Sequence, residues 1–124
     1  MYLTQGLKQK YLNKLKLPDV FIDEEIEQYI NIINNIPFTC VTQCCAGHPG
    51  NGYLSIMINK EYVEWFEHEV IIALISYCNN VFERFEDITK DEVIARYVFY
   101  FKQKFNDKFW LTMIELLKNK SVKE

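Results

Sequence analysis

Seven turn-forming residues in a row, Ala46-Gly47-His48-Pro49-Gly50-Asn51-Gly52, lie between two stretches of β-type sequence. No other feature constrains this chain as much. Glycine opens backbone conformations that a Cβ forbids, proline fixes φ, and asparagine bonds its own backbone, so the run continues neither helix nor strand. Upstream, Phe38 to Gln43 is short and rich in β-branched residues. Downstream, Tyr53 to Ile58 places Leu54, Ile56 and Ile58 on one face. The segment predicts a β-hairpin with a long polar tip. Three of the four cysteines (Cys40, Cys44, Cys45), one of the two histidines (His48) and three of the four glycines fall within residues 38–58. A loop held at both ends by buried strands suits a site.

The flanking sequence supplies the layers that bury such a hairpin. Leu7, Tyr11 and Leu15, beside Lys8, Lys10, Lys14 and Lys16, predict a basic amphipathic helix over residues 1–17, stopped by Pro18. Asp19 or Asp23 caps a second helix with the apolar stripe Ile22, Ile26, Tyr29, Ile30 and Ile33. Asn59 caps a long helix over residues 60–78. Its second half, Val70 to Cys78, is apolar almost all round, which implies burial on two sides, the second against another copy of the chain. Cys78 reads as a core residue of that helix. Residues 81–86 and 92–101 predict a second hairpin, with its turn at residues 87–91. Asn106 or Asp107 caps a last helix that turns Phe109, Trp110, Met113, Ile114 and Leu117 inward. Strand-strand-helix thus occurs twice. The expected fold is α+β: a four-stranded, largely antiparallel sheet with helices on one face, in one domain spanning residues 1–124.

Bulk chemistry narrows the function classes. At 49% hydrophobic and 25% charged, the chain carries enough apolar material for a core. A net charge of −3 argues against a general nucleic-acid binder, which needs a basic face. No apolar run reaches the length of a membrane span, the start lacks a signal-peptide pattern, and four cysteines in such a chain suit reduced thiols in the cytoplasm. Plentiful isoleucine, asparagine, lysine and tyrosine fit an AT-rich bacterial or phage genome.

Three chemistries compete for the hairpin. Cys40, Cys44, Cys45 and His48 give four N and S ligands, the number tetrahedral zinc needs, and simple alternation puts Cys40, Thr42 and Cys44 on one side of the strand. Against zinc, adjacent cysteines point to opposite faces and no second C-x2-C knuckle exists; Cys40 is equally a core residue. Cys45 precedes a glycine turn whose N–H groups can converge on an anion. With His48 three residues on, it is a candidate nucleophile. Finally, Gly47 and its neighbours let backbone approach an anion or nucleotide, while Gln43, His48 and Asn51 offer specific hydrogen bonds. The chain's two arginines, Arg84 and Arg96, both lie on the second hairpin. Arg96, among apolar neighbours, needs either a carboxylate such as Glu83 or Glu86 or a bound anion. Tyr97, Phe99 and Tyr100 are candidates to stack on a ring. Glu64 and His68, four apart on one helix, read as a surface pair.

The residues Val41-Thr-Gln-Cys-Cys-Ala-Gly-His-Pro49, followed by Gly52-Tyr-Leu-Ser-Ile56, resemble a known pattern. It is the Thr-rich strand, Ser-Cys-Ser-Gly-Arg or -His loop and following strand of the wybutosine-synthesis methyltransferase family, and of small bacterial and phage proteins with a similar loop. Thr42, Cys45, Gly47 and His48 match; Cys44 and Ala46 stand where the family has serines. The resemblance implies that Thr42 to His48 rim a binding site, and it makes S-adenosylmethionine-dependent methyl transfer to a tRNA base the enzymatic alternative. The preferred expectation is a non-enzymatic module for a small anionic or nucleotide-like ligand. Thr42, Gln43, Cys45, Gly47, His48, Asn51 and Arg96 form its site, and no cofactor is required. A phage-type protein that sequesters a signalling nucleotide or blocks a host factor fits that description. A zinc-stabilised interaction module is a further alternative. The long helix is the expected homo-oligomer contact.

Overall fold

The computed structural model describes Gln9 and residues 24–45, 51–89 and 92–123, with side chains described for Gln9 and residues 26–42, 52–81 and 95–123. Apart from Gln9, the helix expected at residues 1–17 lies outside the described residues, as do Pro18, Asp19, Ile22 and Asp23. Helix α1 (Glu24–Asn34) buries Ile26, Tyr29, Ile30 and Ile33, the i, i+3, i+4, i+7 stripe read from the sequence. Each buried isoleucine contributes about 1.5–3 kcal/mol relative to exposure. The helix end is tied directly to the sheet. The Thr39 hydroxyl donates to the Ile33 carbonyl at 2.9 Å, and the Val41 amide donates to Asn34 Oδ1 at 2.8 Å. These bonds occupy groups that a helix terminus otherwise leaves to water.

Strands β1 (Thr39–Cys45), β2 (Asn51–Asn59), β3 (Cys78–Thr89) and β4 (Glu92–Lys102) form one antiparallel sheet in the order β1-β2-β4-β3. Between the two hairpins runs α2, residues 60–77, capped as expected by Asn59, whose Oδ1 accepts from the Glu61 amide at 3.1 Å. Its middle, Phe66–Ile71, is a π-helix. The wider i→i+5 turn offsets the drift that residues four apart would accumulate along a continuous α-helix. Tyr62, Phe66, Val70 and Leu74, spaced by four, accordingly form a single buried stripe. Helix α3 (Asn106–Lys123) buries Phe109, Trp110, Met113, Ile114 and Leu117.

Among the described residues, α1, α2 and α3 pack on one face of the sheet. That face carries Leu54, Ile56 and Ile58 from β2, in register with Phe99, Tyr97 and Ala95 of β4. Phe66 meets Tyr97 at 4.7 Å between ring centroids, and Phe101 stacks on Phe109 at 4.3 Å. The Tyr29 hydroxyl donates to Asp107 Oδ1 at 3.1 Å, linking α1 to α3.

The α+β sheet-and-helix architecture is as the sequence predicts, with local differences. The middle helix ends at Tyr77, and Cys78 opens β3 as a half-buried strand residue instead of closing a helix. Burial on two sides does not hold within the chain itself: Val70 and Leu74 are buried, but Ile72 is 65% and Ile75 58% exposed. The β1–β2 half of the sheet is enclosed on both faces. Cys40, Thr42, Ser55, Met57 and Asn59, on the face away from the helices, are buried too. Among the described residues, no helix is long and apolar enough to cross a membrane.

Candidate functional site

Register decides which residues share a face, and β1 contains one irregularity that resets it. Val41 pairs with Ile56 but Gln43 pairs with Ser55, so Thr42 is an extra residue, a bulge. Its hydroxyl donates across the strand pair to Ser55 Oγ at 2.7 Å and lies 3.2 Å from the Ser55 carbonyl, with both side chains buried. Beyond the bulge the alternation is inverted. Cys40 is level with Met57, Cys44 with Leu54 and Cys45 with Tyr53. Simple alternation would put Cys40 and Cys44 on the same side; the bulge places their backbone positions on opposite faces and puts position 45 on the face of Cys40. Cys40 itself is wholly buried, its thiol 3.7 Å from the Val41 carbonyl. Among the described residues, no three His, Cys, Asp or Glu side chains gather to hold a metal. Gly47 and His48, and the side chains of Gln43, Cys44, Cys45 and Asn51, lie outside the described residues. The backbone of Asn51, expected in the turn, is the first residue of β2, level with Lys102.

Arg96 lies on the face of the sheet opposite α1, α2 and α3. Across the strands its row reads Cys40, Met57, Arg96, Arg84. The two arginines of the chain are therefore direct cross-strand neighbours, a juxtaposition that sequence separation hid. Of the two carboxylates proposed as partners, Glu83 is level with Tyr97, a core position, whereas Glu86 is level with Ile94, diagonal to Arg96 on the matching face. Arg96 is half-buried, between wholly buried Met57 on one side and the edge strand on the other.

The three candidate stacking residues divide between faces. Tyr97 and Phe99 are buried under the helices, and the Tyr97 hydroxyl donates to Glu67 Oε1 at 3.2 Å. Tyr100 is on the face opposite α1, α2 and α3, 38% exposed, and its neighbour there is Tyr53, with ring centroids 6.1 Å apart and planes tilted by 39°. Sequence reasoning passed over Tyr53, although its position opposite in phase to Leu54, Ile56 and Ile58 marks it. Glu64 and His68 are both exposed on α2. Burial pushes the Cys78 thiol up to about 11, which leaves little thiolate near neutral pH.

A cavity of about 250 Å³ lies between α2 and α3, lined by Trp65, Glu69, Leu116, Asn119, Lys120 and Lys123. Lys120 Nζ sits 5.6 Å from the centre of the Trp65 ring. Lysines in the last turn of α3 also complement the helix dipole, which accounts for them without a ligand. Compared with protein-family models, with curated proteins and with solved structures, the chain finds no match.

Proposed function

We propose that this chain is a non-enzymatic binding module for a small anionic ligand, held between the first hairpin and Arg96 of the second hairpin. The observation that carries the reading is the cross-strand pairing of Arg84 with Arg96. Like charges directly opposite one another destabilise a sheet by up to about 1 kcal/mol. A bound anion balances the pair, and the planar guanidinium fork suits carboxylate or phosphate oxygens. Burial of the adjoining Met57 and Cys40 lowers the local dielectric, which strengthens such a contact. Gln43 and Cys45 occupy backbone positions on the same face, so the bulge at Thr42 brings two of the proposed ligand-binding positions to the arginine side. A module of this kind works by retaining its ligand, as a sequestering protein does.

The test is thermal unfolding with pyrophosphate against sodium chloride at matched ionic strength. Saturation to a hundred times Kd stabilises by about 2.7 kcal/mol, a gain that Arg96→Met or Arg84→Met should remove. Equal midpoints in the two salts would refute the reading.

A further inference from the structure

We infer that the outer face of α2 is a docking surface for a second copy of this chain, the two helices crossing antiparallel about a two-fold axis between Ile72 and Ile75. The other sides of α2 are in use. Tyr62, Phe66, Val70 and Leu74 are buried beneath it, and Glu67 accepts from Tyr97 of β4. Toward α3, Trp65 and Glu69 line the shared cavity, and Tyr77 lies 5.4 Å from Phe105 between ring centroids. The outward side carries His68, Ile72, Ile75 and Ser76, all exposed. Leu111 and Val122 of α3 are exposed singly, as apolar surface residues commonly are. Ile72 and Ile75, one turn apart and each more than half exposed, make a patch instead.

Charge says what fits the patch. From Val70 to Phe82 the chain has no charged residue, whereas Glu61, Glu64, Glu67 and Glu69 all lie in the first half of α2. A parallel pair of these helices sets Glu64 beside Glu64, and like charges repel. An antiparallel pair centred between Ile72 and Ile75 overlaps only residues 70–77 of each copy, the charge-free part, and sets each Ile72 against the other copy's Ile75. Opposed helix dipoles favour the same orientation. A two-fold contact also makes each isoleucine pair twice, so a small patch does double service, which a one-sided partner does not obtain from it. The overlap is about 12 Å of helix at the usual rise. A contact of that length falls at the small end of interface sizes, below about 1,200 Å², so the association is weak and depends on concentration.

The experiment is sedimentation of the full chain over a concentration series reaching about 1 mM, the range a weak contact requires. The average mass should climb toward that of a dimer. Ile72→Glu and Ile75→Lys alter exposed positions, so both variants should fold, as circular dichroism checks, and each alone should associate at least about tenfold more weakly. Mixed one to one, the two variants should associate more tightly than either does alone. The introduced carboxylate at position 72 of one copy then faces the introduced ammonium at position 75 of the other, and one native Ile72–Ile75 contact remains. A wild-type chain that stays monomeric over the whole series would overturn the inference, as would a dimer that survives both substitutions. A mixture no tighter than its components would overturn the antiparallel pairing of Ile72 with Ile75.

Discussion

The Thr42 hydroxyl is the pin that holds the β1 bulge, and Thr42→Val tests it with almost no change of shape. One hydroxyl has one proton, so the contacts at 2.7 Å to Ser55 Oγ and 3.2 Å to the Ser55 carbonyl count as a single shared bond. Its net worth is about 1 kcal/mol, but valine also strands the buried Ser55 hydroxyl, which adds a desolvation cost of similar size. The expected loss is therefore about 2 kcal/mol. At about 2.1 cal/mol/K per residue, this chain's unfolding entropy converts that to a midpoint roughly 8 °C lower. Ser55→Ala should cost a comparable amount, and the double variant less than the sum of the two by about 1 kcal/mol, because no hydroxyl is left unpaired. Urea denaturation of the four proteins measures the cycle. Additive losses would show that Thr42 and Ser55 do not act as a unit, and would remove the physical basis for the register that brings positions 43 and 45 to the arginine face.

Other outcomes follow from single contacts. Tyr97→Phe deletes the hydroxyl that reaches Glu67 from the core side of β4, and should lower stability by about 1 kcal/mol in chemical denaturation. With its thiol raised to about 11 from an ordinary 9.0, Cys78 should alkylate about 100-fold more slowly than an exposed cysteine at pH 8, as read by peptide mass mapping. The same shift makes folding stability fall as pH rises from about 9 to 11, since the unfolded chain loses that proton first; partial exposure keeps the loss to about 1 kcal/mol or less. A second copy of this chain is the proposed partner for Ile72 and Ile75, one helical turn apart on α2. Ile72→Glu should leave the unfolding midpoint of the monomer unchanged and return a dimeric light-scattering mass to the monomer value.

Much of the fold was legible because local chemistry and tertiary packing agree. The stripes Ile26–Tyr29–Ile30–Ile33 and Phe109–Trp110–Met113–Ile114–Leu117 repeat at helical spacing and are buried, and Asn59 caps where its side chain predicts. What escaped depends on register, which no short window of sequence encodes. The bulge at Thr42 is made by a hydroxyl thirteen residues from its partner, and it reverses the faces of everything from Gln43 to Cys45. Likewise, Arg84 and Arg96 meet only once the second hairpin is zipped. The continuous apolar run before Cys78 favours helix; the strand starts there since Asn79 and Asn80 are poor helix formers, and Asn80 pairs with Tyr100 of β4. Met57, opposite in phase to Leu54, Ile56 and Ile58, is buried as well, because a sheet enclosed on both faces needs apolar residues in both phases.

Where the ligand sits is the central claim, and backbone amide chemical shifts read it residue by residue. On titrating pyrophosphate into the isotopically labelled protein, the perturbed amides should cluster on Arg84, Arg96 and their neighbours in the same cross-strand row. Perturbations gathered instead at Trp65, Glu69, Leu116 and Lys120, around the cavity between α2 and α3, would contradict the account, as would a spectrum that does not move.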